Sequence, residues 1–129
     1  MKSNLKKQIA PYWDEERGGV VIPLLGIVLD AKKIAYKENW DSAHALCTAV
    51  GKRMFTKQEA CVLMWQKDEI NPILEEHHGE LLDGWFWTDT KYENGFKTHA
   101  WYVVFGSGVF GSLYGYKYNT YIVRAVSAL

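Results

Sequence analysis

Thr56-Lys57-Gln58-Glu59-Ala60-Cys61-Val62-Leu63-Met64 is the stretch on which the fold reading turns. A threonine followed three residues later by a glutamate has the capping-box form: the hydroxyl can accept from the backbone N–H of Glu59, and the Glu59 carboxylate can reach back to that of Thr56. Ala60, Leu63 and Met64 then supply an apolar stripe at helical spacing. A helix therefore opens at Thr56. Working towards the N-terminus, Trp40, Ala43, Leu46, Cys47 and Val50 also recur at helical spacing. Asn39 or Asp41 can cap that helix and Gly51 can end it. Working towards the C-terminus, a short third helix is expected from near Asp68 through Ile70, Ile73 and Leu74, with Pro72 early in it and Gly79 as its stop.

Strands flank this helical middle. Val20-Val21-Ile22 and Leu25 to Leu29 read as extended. Beyond the helices, Trp85-Phe86-Trp87-Thr88 and Ala100 to Phe105 are rich in β-formers. Gly106-Ser107-Gly108 reads as a turn, and Val109 to Leu113 as the returning arm of a hairpin. Tyr121 to Val126 reads as one central strand. A chain of 129 residues is one domain by length. Its order of elements argues an α+β class, with two to three helices packed on a curled antiparallel sheet. Residues 1–19 are set apart as an N-terminal arm, with Lys2 to Arg17 either a mobile tail or a piece that docks on another chain.

Charge and composition exclude several classes. The formal net charge is +0 and no basic stripe stands out in the sequence, which argues against nucleic acid and anionic membrane as partners. The apolar run Val20 to Leu29 is interrupted by Pro23 and Gly26 and is too short to span a bilayer. No apolar run of signal-peptide length follows the basic N-terminus, so a cytoplasmic protein is expected, unless it travels on a larger particle such as a phage. The two cysteines, Cys47 and Cys61, lie in helical patterns and are expected to be buried thiols, not a disulfide.

Four pieces of sequence, in order, carry a resemblance. They are Trp40-Asp41-Ser42-Ala43 with Leu46-Cys47; Gly51-Lys52-Arg53-Met54-Phe55-Thr56-Lys57-Gln58-Glu59; Gly84-Trp85-Phe86-Trp87-Thr88-Asp89-Thr90; and Ala100 to Gly108 closing on Tyr121-Ile122-Val123-Arg124-Ala125-Val126. Over roughly residues 36–126 the chain is similar to the bacterial and phage domain typified by the C-terminal domain of the Legionella collagen-like adhesin. That domain belongs to the group that also holds formylglycine-generating enzymes and the variable proteins of diversity-generating retroelements. The resemblance implies a C-type lectin-like fold. Met54-Phe55 stands where the pattern has Leu-Pro. The enzymes of the group use two cysteines late in the fold, and Cys47 and Cys61 are in the helical zone, so that activity does not carry over.

Other chemistry is equally thin. Gly106-Ser107-Gly108 and Gly111-Ser112 lack the context of a nucleophile elbow. His77 and His78 diverge at a helix end. His44 and Cys47 share a helix face that Cys61 can approach, but the spacing is a poor metal signature. Asp89, Glu93 and Asn94 do not have calcium-loop spacing. The chain is therefore expected to be no enzyme, with no cofactor and no metal.

The recognition surface is expected in the aromatic C-terminal third. In Tyr114-Gly115-Tyr116-Lys117-Tyr118-Asn119-Thr120-Tyr121 tyrosine recurs at every second residue, so on an extended chain the rings share one side. Tyrosine, glycine, serine and asparagine are also the vocabulary of antibody binding loops. The candidate ligand contacts are Tyr92, Asn94, Phe96, His99, Tyr114, Tyr116, Tyr118 and Asn119, engaging a protein or glycan. Trp85 and Trp87 share one face of their strand and are read as core. Arg124, between apolar neighbours, is read as held in an ion pair. Among the relatives, retroelement variable proteins suggest a diversified, phage- or prophage-borne binding domain. The alternative is an assembly subunit, a homo-oligomer whose aromatic surface is a permanent interface.

Overall fold

The computed structural model describes residues 9–91, 99–106 and 112–129, with the side chains of 112–115 excepted. The chain is α+β. In order its elements are β1 (Tyr12–Asp14), β2 (Gly19–Ile22), β3 (Ile27–Asp30), β4 (Ala35–Glu38), α1 (Trp40–Ala49), β5 (Arg53–Met54), α2 (Lys57–Trp65), α3 (Lys67–Glu76), β6 (Gly84–Lys91), β7 (His99–Phe105), β8 (Ser112–Tyr116), β9 (Tyr121–Val123) and β10 (Ala125–Ala128). Where one curled sheet was expected there are two of five strands each, ordered β1-β2-β3-β10-β5 and β4-β9-β6-β7-β8. Within them β6 and β9 run parallel, and the other described pairs are antiparallel. Residues 12–14, expected within an arm, are part of the first sheet, with Tyr12 opposite Val21.

The helix starts follow from side-chain caps. Asn39 Oδ1 accepts from the N–H of Ser42 at 2.9 Å and opens α1. Gly51, at φ +73°, lies just beyond the helix in a conformation that favours glycine. At α2 both arms of the capping box are present: Glu59 N–H donates to Thr56 Oγ1 at 3.1 Å, and Thr56 N–H donates to Glu59 Oε1 at 2.8 Å. The stripe on α1 is narrower than its periodicity suggests. Trp40, Ala43 and Cys47 are buried, whereas Leu46 and Val50 are exposed.

Two apolar clusters hold the layers together. In the first, Val20, Ile22, Leu29 and Val126 of one sheet meet Phe86, Val103 and Phe105 of the other, with Ala60 and Leu63 of α2 and Ile70 and Leu74 of α3. Phe55, Phe86 and Phe105 pack edge-on or tilted in its middle. The second cluster sets Trp40, Ala43 and Cys47 of α1 against Met54, Trp87, Ala100, Tyr102, Val104, Val123 and Ala125.

The segment 121–126 corrects the expectation of a single central strand. It is two strands in two sheets, β9 and β10, parted at Arg124. Arg124 is fully buried and forms no ion pair with a described carboxylate. Its Nε donates to the Asp30 carbonyl at 2.6 Å and its Nη2 to the Ala31 carbonyl at 3.0 Å. Burial drives its pKa down to about 10. The strand break falls at this residue, whose Nε and Nη2 are satisfied by carbonyls of the chain leaving β3 while Nη1 is buried without a partner among the described residues.

Loss of the cap hydroxyl in Thr56→Ala should lower unfolding free energy by about 1 kcal/mol, read by urea denaturation. The capping box also predicts a pH dependence. Burial pushes the Glu59 carboxyl up, but the hydrogen bond from Arg53 and the backbone N–H of Thr56 outweigh it, and the net pKa is below 4.5. A depressed carboxylate stabilises the fold above its unfolded pKa and loses that contribution as pH falls through the folded one. The melting-temperature gap between wild type and Glu59→Gln should therefore be open at neutral pH and narrow progressively as pH falls below the ordinary glutamate range towards the lowered folded pKa.

Candidate functional site: an aromatic surface on the second sheet

The second sheet brings together several of the residues expected to bind. The antiparallel register of β7 and β8 sets His99 opposite Tyr116 and Trp101 opposite Tyr114. The His99 and Tyr116 rings lie 4.3 Å apart, tilted at 41°. The extended, period-two reading stops at Tyr116, because residues 117–119 turn, with Asn119 N–H donating to the Tyr116 carbonyl at 3.0 Å. The turn folds Tyr118 back onto Tyr116, and their rings stack at 4.9 Å and 15°. Tyr116 is 47% exposed and Tyr118 71%. The turn is itself anchored: Trp40 N–H donates to the Lys117 carbonyl at 2.8 Å, tying it to the start of α1.

Asn119 has a structural part. It is half-buried, and its Nδ2 donates to Tyr121 Oη at 3.3 Å. Tyr121, expected to continue the tyrosine row, instead joins an inner group with Trp85, Trp87 and Tyr102. Trp85 stacks on Tyr102 at 5.4 Å and 9°, and Tyr121 lies 4.6 Å from both Trp87 and Tyr102. Tyr92, Asn94 and Phe96 lie outside the described residues, as does the side chain of Tyr114.

Sequence reasoning treated Trp85 and Trp87 alike, and the structure separates them. Trp87 is buried and its Nε1 donates to the Glu38 carbonyl at 2.8 Å. Trp85, two residues nearer the sheet end, is 48% exposed. With Tyr36, Lys37, Thr120, Tyr121 and Ile122 it lines a shallow depression of about 360 Å³ across β4, β9 and β6. Alternation along one strand cannot distinguish these two tryptophans, because the difference lies in what the strands β4 and β9 place beside each.

A second feature missed in the sequence is the pairing of lysines with indoles. Lys57 Nζ stands 3.9 Å from the ring centre of Trp101, and Lys117 and Lys91 stand 4.7 and 5.6 Å from that of Trp40. Each such contact contributes roughly 0.5–1 kcal/mol at an exposed position. The His44 imidazole also stacks on Trp40, at 5.3 Å, and its Nδ1 lies 3.4 Å from Asp89 Oδ1.

Both cysteines are free thiols, as expected, but only one of them is buried. Cys47 is buried, and burial followed by the nearby carboxylates pushes its pKa up to about 11. Cys61 is exposed, with Sγ 3.5 Å from the Lys57 carbonyl one helical turn earlier. Among the described residues no group of three His, Cys, Asp or Glu side chains is placed to hold a metal ion. No described helix is long and apolar enough to cross a membrane. No protein-family model matches this sequence, and no curated protein matches it.

Titration of the native protein with a thiol-reactive disulfide should label one cysteine quickly. Labelling should be lost in Cys61→Ser and unchanged in Cys47→Ser, because a buried thiol with a raised pKa supplies almost no thiolate. The second thiol should react only on unfolding.

Proposed function

We propose that this chain is a C-type lectin-like, non-catalytic binding domain that captures a protein or glycan ligand through the aromatic end of its second sheet. The observation that carries the reading is the stacked pair Tyr116 and Tyr118, exposed at 47% and 71% on a turn hydrogen-bonded to α1. Large rings left in water at a fixed geometry offer contact area at little entropic cost, which suits recognition better than packing. His99, packed at a tilt against Tyr116, extends the surface. The fold assignment rests on the order of elements, the capped helix after β5 and the return of the C-terminal strand β10 beside β3. The finer reading is a phage-borne or retroelement-diversified variable protein. Its test is a near-copy of the 3′ end of the gene beside a reverse transcriptase gene.

Replacing both Tyr116 and Tyr118 with serine should leave the unfolding free energy within about 0.5 kcal/mol of wild type, as exposed substitutions do. The same double variant should lose ligand capture. If the aromatic surface is a subunit interface, gel filtration would instead show an oligomer dissociating, with a melting temperature that depends on protein concentration. A monomer that unfolds on this substitution would make the two rings core, and the proposed site would be wrong.

A further inference from the structure

The half-exposed indole of Trp85 is supported from within the sheet. Its ring stacks on that of Tyr102 and tilts against that of Tyr121 at 5.7 Å. The shallow depression of about 360 Å³ that it lines also holds Tyr36, which is 61% exposed. The Tyr36 hydroxyl donates to Glu80 Oε2, and the N–H of Lys33 donates to Glu80 Oε1 at 2.9 Å. Each of the two exposed rings is thus oriented by a contact inside the fold. The rim adds the amine of Lys37 and the hydroxyl of Thr120, both on exposed residues, and no carboxylate lines the depression among the described residues. The depression is built on β4, β9 and β6, and β4 is the sheet edge opposite β8, the strand of Tyr116.

The lining chemistry narrows the occupant. Six residues line the depression, whereas a stable protein interface takes about 20–30 on each side, which argues against a second copy of the chain. An added strand is poorly served as well. The pairing of β4 with β9 shifts register between Ala35 and Glu38, and an irregular edge resists extension by a further strand. A cation drawn to the rings would meet the Lys37 ammonium with no carboxylate to offset it. A wholly apolar ligand would keep one side in water, because the depression is open. A small neutral molecule with one apolar face and a hydroxylated rim fits all of these constraints. A pyranose has that form: its C–H face is drawn to the electron-rich surface of an indole, and its hydroxyls can meet the rim amine and hydroxyl. We infer that this depression is a second site, which takes one ring of a neutral oligosaccharide against Trp85 and Tyr36. It stands independently of the reading of Tyr116 and Tyr118.

The experiment is nuclear magnetic resonance titration of the intact domain, to millimolar concentration, with neutral hexasaccharides of glucose, mannose, galactose and N-acetylglucosamine. The indole N–H signals are followed, with that of Trp85 assigned through Trp85→Phe. At least one hexasaccharide should shift the Trp85 signal and saturate. Its dissociation constant should stay within about twofold between about 50 and about 300 mM salt, since an uncharged ligand leaves little for salt to screen. Binding should weaken about tenfold or more in Trp85→Ala and in Tyr36→Ala, because aromatic anchors dominate where they make contact. It should be unchanged in Tyr116→Ser/Tyr118→Ser. Melting temperatures show which variants stay folded, and Tyr36→Ala, at a more exposed ring, carries the test if Trp85→Ala does not fold. A Trp85 signal that no hexasaccharide moves would overturn the inference. So would sugar binding that survives both Trp85→Ala and Tyr36→Ala. Sugar binding lost only in the tyrosine double variant would place the sugar at Tyr116 and Tyr118, leaving that surface standing and removing this site. A Trp85 signal moved more readily by tetramethylammonium than by every hexasaccharide would make the depression a cation cage and overturn the sugar assignment.

Discussion

The fold depends on how the guanidinium of Arg124 is accommodated. A fully buried arginine with Nε and Nη2 on carbonyls and Nη1 without a hydrogen-bond partner among the described residues is an expensive group, and its depressed pKa near 10 registers that cost. What the arrangement achieves is topological. The hydrogen bonds to Asp30 and Ala31 clamp the chain between β9 and β10 to the end of β3. The strand before Arg124 joins the sheet that carries the aromatic residues, and the strand after it joins the sheet built by the N-terminal segment. One residue therefore stitches the two sheets together, and the apolar cluster between them can close.

From that junction the site follows by register. With β9 fixed beside β6, Tyr121 falls next to Trp85, Trp87 and Tyr102, and the inner aromatic group forms. The segment before β9 must then turn back from β8 within residues 117–119, and the Trp40 amide holds that turn. The stacked tyrosines sit on a connection hydrogen-bonded to the start of α1. That placement matters energetically, since a ligand that meets pre-ordered rings does not have to order them on binding.

Local signals were legible and non-local ones were not. The capping box at Thr56, a cap at Asn39 and the β-rich run at 100–105 are short-range patterns; the box and the strand are where they were read, Asn39 and not Asp41 is the cap, and the strand is buried on both faces from Tyr102 to Phe105. Arg124 misled the strand reading because Tyr121 to Val126 has the composition of one strand, and nothing in it shows carbonyls waiting at residues 30 and 31. The tyrosine row reads as one side of an extended chain, but its period of two held only as far as Tyr116. Stacking of Tyr118 on Tyr116 comes from the turn. Trp85 and the three indole-bound lysines were invisible because they depend on strands and helices distant in sequence. Cys61 was expected inside, yet it sits on the outer side of α2, away from Ala60 and Leu63.

The central claim is that the exposed tyrosine pair is a pre-formed surface, and nuclear magnetic resonance of the free domain tests it most directly. Nuclear Overhauser contacts between the Tyr116 and Tyr118 rings should be present without ligand, and the Trp40 amide, bonded to the Lys117 carbonyl, should exchange slowly with solvent. Freely averaging tyrosine rings with no mutual contacts, together with a Trp40 amide that exchanges as fast as an unprotected one, would contradict the account.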